Sequence, residues 1–333
     1  MFTSSAHSDV GRVRVSNQDS AYAGTFLLVV ADGMGGHAGG DVASHIAVNH
    51  LVELDREFTT IAAATKALRS QILAANTMIV DVVDTYPQLA GLGTTLSVVL
   101  RVGSKAVIAH IGDSRIYRHR NGELAQMTKD HTFVQRLIDT GQISIAEAAV
   151  HPRRSVLMRV LGDVDATPDL DIFTVDLQPG DVWLLCSDGL TGCLDDPELE
   201  SLTQAHTSVR SLASALIARS LDEGAPDNVT AVIAKVSAPG DQGENVAKPI
   251  IVGSASVDNP LKSLPKVGDL GRSEPRAKAP SLPVHTGGIP ITEQDDSLEA
   301  FGTPGVKPAR RSRAVWVVVV IALIIIGALV WLV

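Results

Sequence analysis

Four aspartates constrain this chain more than any other feature. They are Asp32 in ADGMGGHAGG, Asp113 in IGDSR, Asp188 in LLCSDGL and Asp227 in APDNVT, each beside glycine or another tight-turn residue. Three of them follow, directly or nearly so, an apolar run that reads as a buried strand. A carboxylate at the end of a buried strand is costly unless something neutralises it. Converging in space, such carboxylates would bind hard divalent cations, which take oxygen ligands. The pattern points to a two-metal site, and two-metal sites commonly serve phosphoryl chemistry.

The intervening sequence alternates strand-like and helix-like patterns. Residues 26–31 form a continuous apolar strand, and residues 41–54 and 61–83 carry helical spacing. Residues 94–102 and 105–111 read as strands joined by a tight turn at Gly103-Ser104. Residues 115–120 and 123–127 flank Asn121-Gly122, a strong hairpin signal. Further strands are expected at 182–186 and 229–236, with two helices between Pro197 and Leu221. Short connections between neighbouring strands argue for antiparallel sheets, and helices from both ends of the segment can cover their outer faces. The fold class is therefore α+β.

Three segments differ in composition. Residues 1–238 are expected to be the folded catalytic domain. Residues 239–313 read as a flexible, disordered linker, because Pro, Ser, Gly and charged residues there leave too little apolar surface to bury. This stretch holds ten of the sixteen prolines. Residues 314–333, AVWVVVVIALIIIGALVWLV, carry no charge. Twenty residues at about 1.5 Å each span roughly 30 Å, the thickness of a bilayer core, so a single transmembrane helix is expected. Trp316 and Trp331 stand near its ends, where interfacial aromatics belong. Arg310, Arg311 and Arg313 precede it and place that side in the cytoplasm by the positive-inside rule. The expected protein is single-pass, anchored in the cell membrane, with its folded domain cytoplasmic on a tether reaching about 45 Å.

The net charge of the 333 residues is −9, which argues against nucleic acid as a main partner. The imbalance lies in the first two thirds, since residues 239–313 hold nine acidic and ten basic side chains. Cys186 and Cys193 form no CxxC pair and read as small thiols in a reducing compartment. The first twenty residues lack the apolar core of a secretory signal.

Around the aspartates, other residues carry chemistry. Gly33, Gly35, Gly36, Gly39 and Gly40 let backbone approach a ligand closely, but the run lacks the GKS or GKT of a nucleotide loop. Arg14 in GRVRVSNQD can grip two phosphate oxygens, or can be a surface ion-pair arginine. Asp19 can accept hydrogen bonds from metal-bound water, or be a solvent-facing turn residue.

Taken together, Arg14 to Asp19, Asp32 to Gly40, Gly93-Thr94-Thr95, Gly112 to Arg115, Ser187-Asp188-Gly189 and Asp227-Asn228 follow one another in a familiar order. The chain resembles the metal-dependent Ser/Thr protein phosphatases of type 2C from about residue 4 to 237. DGMGGH, KDHTFVQRLIDTGQI and HPRRSVLMRVLG are similar to the bacterial branch. The resemblance implies a four-layer α-β-β-α sandwich of two antiparallel sheets with the metal centre at one end. Asp32 would bridge two Mn²⁺ or Mg²⁺ ions, the Gly33 carbonyl would bind one, and Asp188 and Asp227 the other. Asp113, with Asp188, would hold a weaker third ion. Arg14 would bind the substrate phosphate, and residues 130–159 would form a flap. The implied substrates are phosphoserine and phosphothreonine proteins.

His37, in the glycine-rich loop, is the candidate general acid for the leaving oxygen. The sequence departs from many relatives at Gln18, where a glutamate is usual. His131 and His151, flanking the flap, read as cap or turn residues before substrate contacts, and Thr94 and Thr95 as packing beneath the site. Membrane attachment suggests Ser/Thr kinases and their substrates as partners, alongside the lipid bilayer. A rival reading is a silent module that recruits a phosphorylated protein. Pseudo-enzymes usually lose metal ligands, and here every expected ligand is present.

Overall fold

Unbroken apolar runs build the central strands of two antiparallel sheets. The computed structural model describes residues 1–35, 39–163, 167–237, 248–257 and 261. Its strands are β1 (Phe2–Asp9), β2 (Asp19–Ala23), β3 (Leu27–Met34), β4 (Gly93–Thr94), β5 (Leu96–Val102), β6 (Lys105–Ile111), β7 (Arg115–Arg120), β8 (Glu123–Gln126), β9 (Asp171–Asp176), β10 (Val182–Cys186), β11 (Val229–Val236) and β12 (Ile250–Gly253). Its α-helices are α1 (Gly40–Leu51), α2 (Ile61–Thr85), α3 (Phe133–Asp139), α4 (Ile145–Ala149), α5 (Asp188–Thr191), α6 (Asp196–Ala205) and α7 (Val209–Asp222). One sheet runs β1-β11-β10-β7-β8. The other runs β12-β2-β3-β5-β6-β9, with β4 paired to β3. Every pairing is antiparallel.

Alternation along β3 shows how the layers form. Leu27, Val29 and Ala31 face a cluster with Val42, Ile46, Leu68 and Ile72 of α1 and α2. Leu28 and Val30 face the opposite way, into a second cluster with Trp183, Leu185, Val232 and Ala234 of the other sheet. The far side of that sheet packs Leu184, Ile233 and Tyr117 against Leu212, Leu216 and Ile217 of α7. Helices, sheet, sheet and helices therefore succeed one another, and central strands buried on both faces read as unbroken apolar runs. The α-β-β-α layering follows from these three separate cores.

Several boundaries differ from expectation. The helix expected over 41–54 ends at Leu51 and tightens into a 3-10 turn over Val52–Leu54. The strand expected from residue 94 is interrupted at Thr95, whose backbone N–H turns to the Asp32 carbonyl. Strands β1, β2 and β9, and the short flap helices α3 and α4, carry too many polar residues for the periodicity to reveal them. The linker boundary at 238 needs correction. Residues Ile250–Gly253 form a strand on β2, and Ser254–Ser256 form a 3-10 turn against α1. IIVG is too short an apolar run to stand out of a Pro-rich segment by composition. The segment at 314–333 lies outside the described residues, and among those described no helix is long and apolar enough to cross a membrane.

Candidate metal centre

The four aspartates leave the ends of central strands in both sheets. Asp32 lies near the end of β3, Asp113 just past β6, Asp188 two residues past β10 and Asp227 two residues before β11. Cys186 pairs with Ala231 and Leu96 with Ile111, so these ends share one edge of the double sheet. Asp19 opposes Asp32 across the β2–β3 pairing. Thr94 and Thr95 lie beneath, as expected. Thr95 Oγ1 accepts from the Asp32 N–H at 2.9 Å, and Thr94 Oγ1 donates to the Asp32 carbonyl at 2.9 Å.

Two glycines make this convergence possible. A Cβ on Gly33 would lie 2.0 Å from the Gly40 carbonyl oxygen and 2.5 Å from that of Gln18, so only glycine lets α1 begin against the strand end. Gly112, at φ +106°, turns the chain into Asp113 with Thr95 Cβ only 2.5 Å from where its own Cβ would stand.

Asp32, Gly33, Asp113, Asp188 and Asp227 line a cleft of about 560 Å³. Arg14 is the one basic side chain lining it among the described residues. Its Nη2 donates to Asp227 Oδ2 at 2.6 Å, and its side chain is 51% exposed. Burial, then repulsion from Asp19 and the other aspartates, pushes the Asp32 carboxyl well above the ordinary range. Burial and then Asp188 push Asp113 up to about 8. Asp188 is raised by burial and by Asp227, an effect opposed by a hydrogen bond with Asp32. Asp19 is pushed up to about 7 by burial, although its Oδ2 accepts from Ser187 at 2.8 Å and Thr230 at 2.6 Å. Its Oδ1 is buried without a hydrogen-bond partner.

Among the described residues no three acidic, His or Cys side chains are drawn into a closed coordination shell. The carboxylates line the cleft from opposing sides, and Asp227 is engaged with Arg14. The donor set nevertheless fits hard divalent cations. It is all oxygen, strongly anionic, partly buried, and short of positive charge. Cys186 is buried, and burial pushes its thiol up to about 12, so it offers no thiolate. No disulfide joins it to Cys193. His37 lies outside the described residues.

Residues whose hydrogen-bond partners the sequence did not supply hold the site together. Asn228 Nδ2 donates to the Val10 and Ser16 carbonyls, each at 2.9 Å, and its Oδ1 accepts the Gln18 N–H at 2.8 Å. His131 is neither a helix cap nor lining the cleft. The Gly112 N–H donates to its Nδ1 at 3.2 Å, and its own N–H donates back to the Gly112 carbonyl at 2.7 Å. With Nδ1 accepting, Nε2–H donates to Asp171 Oδ2 at 3.1 Å. Arg115 grips Asp130 through Nε and Nη2. Together these contacts fasten the start of the flap to the turn bearing Asp113, while flap residues Ser155 and Leu157 line the cleft. Lone polar residues of this kind have no periodicity, so only the register of distant strands reveals them. His151 sits away from the cleft lining, its ring tilted beside Phe133.

The site is a two-sheet sandwich with carboxylates gathered at one edge of its strands. Residues 12–232 match the protein phosphatase 2C family, and the chain belongs to it. It is 43% identical over 260 residues to the serine/threonine protein phosphatase PstP of Mycobacterium tuberculosis, covering 78% of this chain and 49% of that protein. The chain thus spans about half the length of that relative. Identity to the serine/threonine phosphatase stp of Listeria welshimeri is 39% over 235 residues, 68% of this chain and 92% of that one. The crystal structure of the PstP catalytic domain in complex with two manganese ions matches with a TM-score of 0.64 at 42% identity, over 71% of this chain and 99% of that chain.

Proposed function

We propose that this protein is a metal-dependent serine/threonine protein phosphatase that hydrolyses phosphoserine and phosphothreonine in proteins. The observation that carries the reading is the convergence of Asp32, Asp113, Asp188 and Asp227 on one cleft that also holds Arg14. Asp32, Gly33, Asp188 and Asp227 would hold two Mn²⁺ or Mg²⁺ ions, and Asp113 with Asp188 a third. Bound there, the ions supply an acidified water as nucleophile and neutralise charge on the phosphate. Arg14 is half exposed at the cleft, free to exchange Asp227 for a phosphate and grip two of its oxygens. Asp19, whose Oδ1 is buried without a protein partner, is assigned to accept hydrogen bonds from metal-bound water. His37 is assigned the proton for the departing serine or threonine oxygen. Thr94, Thr95 and Asn228 keep the backbone around these groups fixed.

The protein is further proposed to be anchored in the cell membrane by residues 314–333, with its catalytic domain in the cytoplasm. There it would oppose membrane Ser/Thr kinases and act on their substrates. The uncharged twenty-residue run and the three arginines before it support that placement.

The catalytic reading is tested by phosphate release from a phosphothreonine peptide with and without Mn²⁺, beside Asp188→Ala. Metal-dependent turnover that falls by about a hundredfold or more in the variant is expected, the scale of a lost transition-state charge contact. Folded wild-type protein that binds Mn²⁺ and phosphopeptide but releases no phosphate would favour a recruiting module.

A further inference from the structure

Beyond β11 the chain returns to the domain at the strand that carries Asp19. β12 pairs with β2 from Ile250 opposite Ala23 to Gly253 opposite Ser20. Gly253 has φ +73°, and a Cβ there would lie 2.1 Å from the Asp19 carbonyl oxygen. No other residue can bring this strand so close to the Asp19 backbone. Ser254 follows and is buried. Its Oγ donates to the Asn17 carbonyl at 2.5 Å, and its own carbonyl accepts from His45 Nδ1 at 3.1 Å. The Ala255 N–H donates to Ser20 Oγ at 3.0 Å. Apolar side chains anchor the segment in two layers. Ile250 and Val252 pack on the inter-sheet core, and Ala255 joins the core under α1 and α2.

Residues 10–18 connect β1 to β2 and carry Arg14. Val13 and Val15, on either side of Arg14, are 68% and 97% exposed, so packing does little to fix this loop. Hydrogen bonds from side chains to its backbone hold it at its base. Asn228 secures Val10, Ser16 and Gln18 from the β11 side. Asn17, between two of these, is secured by Ser254 from the other side. The base of the loop is therefore gripped from both sheets, by Asn228 just before β11 and by Ser254 just after β12.

We propose that residues 250–255 are a positioning element of the site. Gly253 and Ser254 hold the Asn17–Asp19 backbone, and through it they hold Arg14 in register with the cleft. The role of Arg14 toward phosphate rests on the phosphatase reading, whereas the clamp on Asn17–Asp19 does not. Gly253 and Ser254 touch no reacting group, so they act through the loop alone.

The test uses the full chain with Ser254→Ala and, separately, Gly253→Ala. Two quantities are measured: amide hydrogen exchange at Gln18 and Asp19, and KM and kcat for a phosphothreonine peptide with Mn²⁺. Removing one backbone-holding hydrogen bond should speed exchange at both amides and raise KM, each about fivefold, the ratio that about 1 kcal/mol represents. Values of kcat should stay within about twofold, because uniform binding is lost and not a transition-state contact. Gly253→Ala should shift both readouts further in the same direction. Unchanged exchange at Gln18 and Asp19 would overturn the proposal. So would a lowered Tm with kcat falling and KM constant, which a purely structural strand would give. If wild-type protein releases no phosphate, the phosphatase reading fails, and exchange at the two amides alone decides this proposal.

Discussion

Asp19, Asp32, Asp113 and Asp188 share one electrostatic problem, and its sign can be worked out. Burial raises each carboxyl, with Asp19 at about 7 and Asp113 at about 8. A folded-state acid raised above its unfolded value keeps a proton that the unfolded chain has already lost. The stability it contributes is complete below the ordinary carboxylate range and is lost as pH rises through the folded value. Metal-free protein should therefore melt at steadily lower temperature from about pH 5 to about pH 8. Added Mn²⁺ should raise Tm most at the upper end of that window and release protons as it binds. Differential scanning fluorimetry in EDTA and in Mn²⁺ checks this, and a flat EDTA series would mean the carboxylates do not carry the cost. Three of these four residues announce themselves in the sequence through an apolar run followed by Asp-Gly or Gly-Asp. Asp19 does not, because Asn-Gln-Asp reads as an ordinary turn until β2 sets it opposite Asp32.

At the scale of elements, the flap is tied to the catalytic edge by two histidines. His110 is buried, and burial lowers it to about 4, so it is neutral. Its Nε2–H donates to the Lys129 carbonyl at 3.1 Å, and its Nδ1 accepts from Ser97 Oγ at 3.0 Å. His131 brackets Gly112 two residues further along. His131→Ala leaves the buried Gly112 N–H without its acceptor and removes a hydrogen bond from Asp171. A loss of about 2 kcal/mol is expected from one unsatisfied buried donor plus one lost bond, measurable by urea denaturation. A change within error would mean that water replaces the imidazole without cost. Sequence periodicity reveals the neighbouring strands β5 and β6 through their apolar runs. It does not reveal the α3 and α4 helices, whose starts rest on Thr132 and on a Ser144–Glu147 capping box within polar stretches.

For the whole molecule, the proposed anchor and the catalytic domain make separable predictions. Deleting residues 314–333 should move the protein from the membrane pellet to the supernatant. Turnover of a soluble phosphopeptide should change by less than about twofold, since no binding energy to that substrate is removed. Dephosphorylation of membrane kinases should fall, because the tether's local concentration advantage is lost. Kinase phosphorylation that is unaffected by the deletion would remove the membrane from the functional account. The proposed tether would begin later than composition indicates, since β12 and the turn after it belong to the sheet edge beside Asp19.

What the sequence by itself determined is what repeats or stands in a contiguous pattern. Unbroken apolar runs specify the central strands, helical spacing specifies α1 and α2, and the Asp-Gly steps mark where buried strands must end on charge. What only the tertiary structure decided is pairwise and long-range. Asp19 meets Asp32 through strand register, Asn228 reaches back to Val10, His131 closes on Gly112, and Ser254 closes on Asn17. Each of these is one polar atom finding one partner, some of them more than two hundred residues away. Such a contact costs the chain no periodicity to encode, so it leaves no signal along the sequence, and it exists only once both sheets are packed.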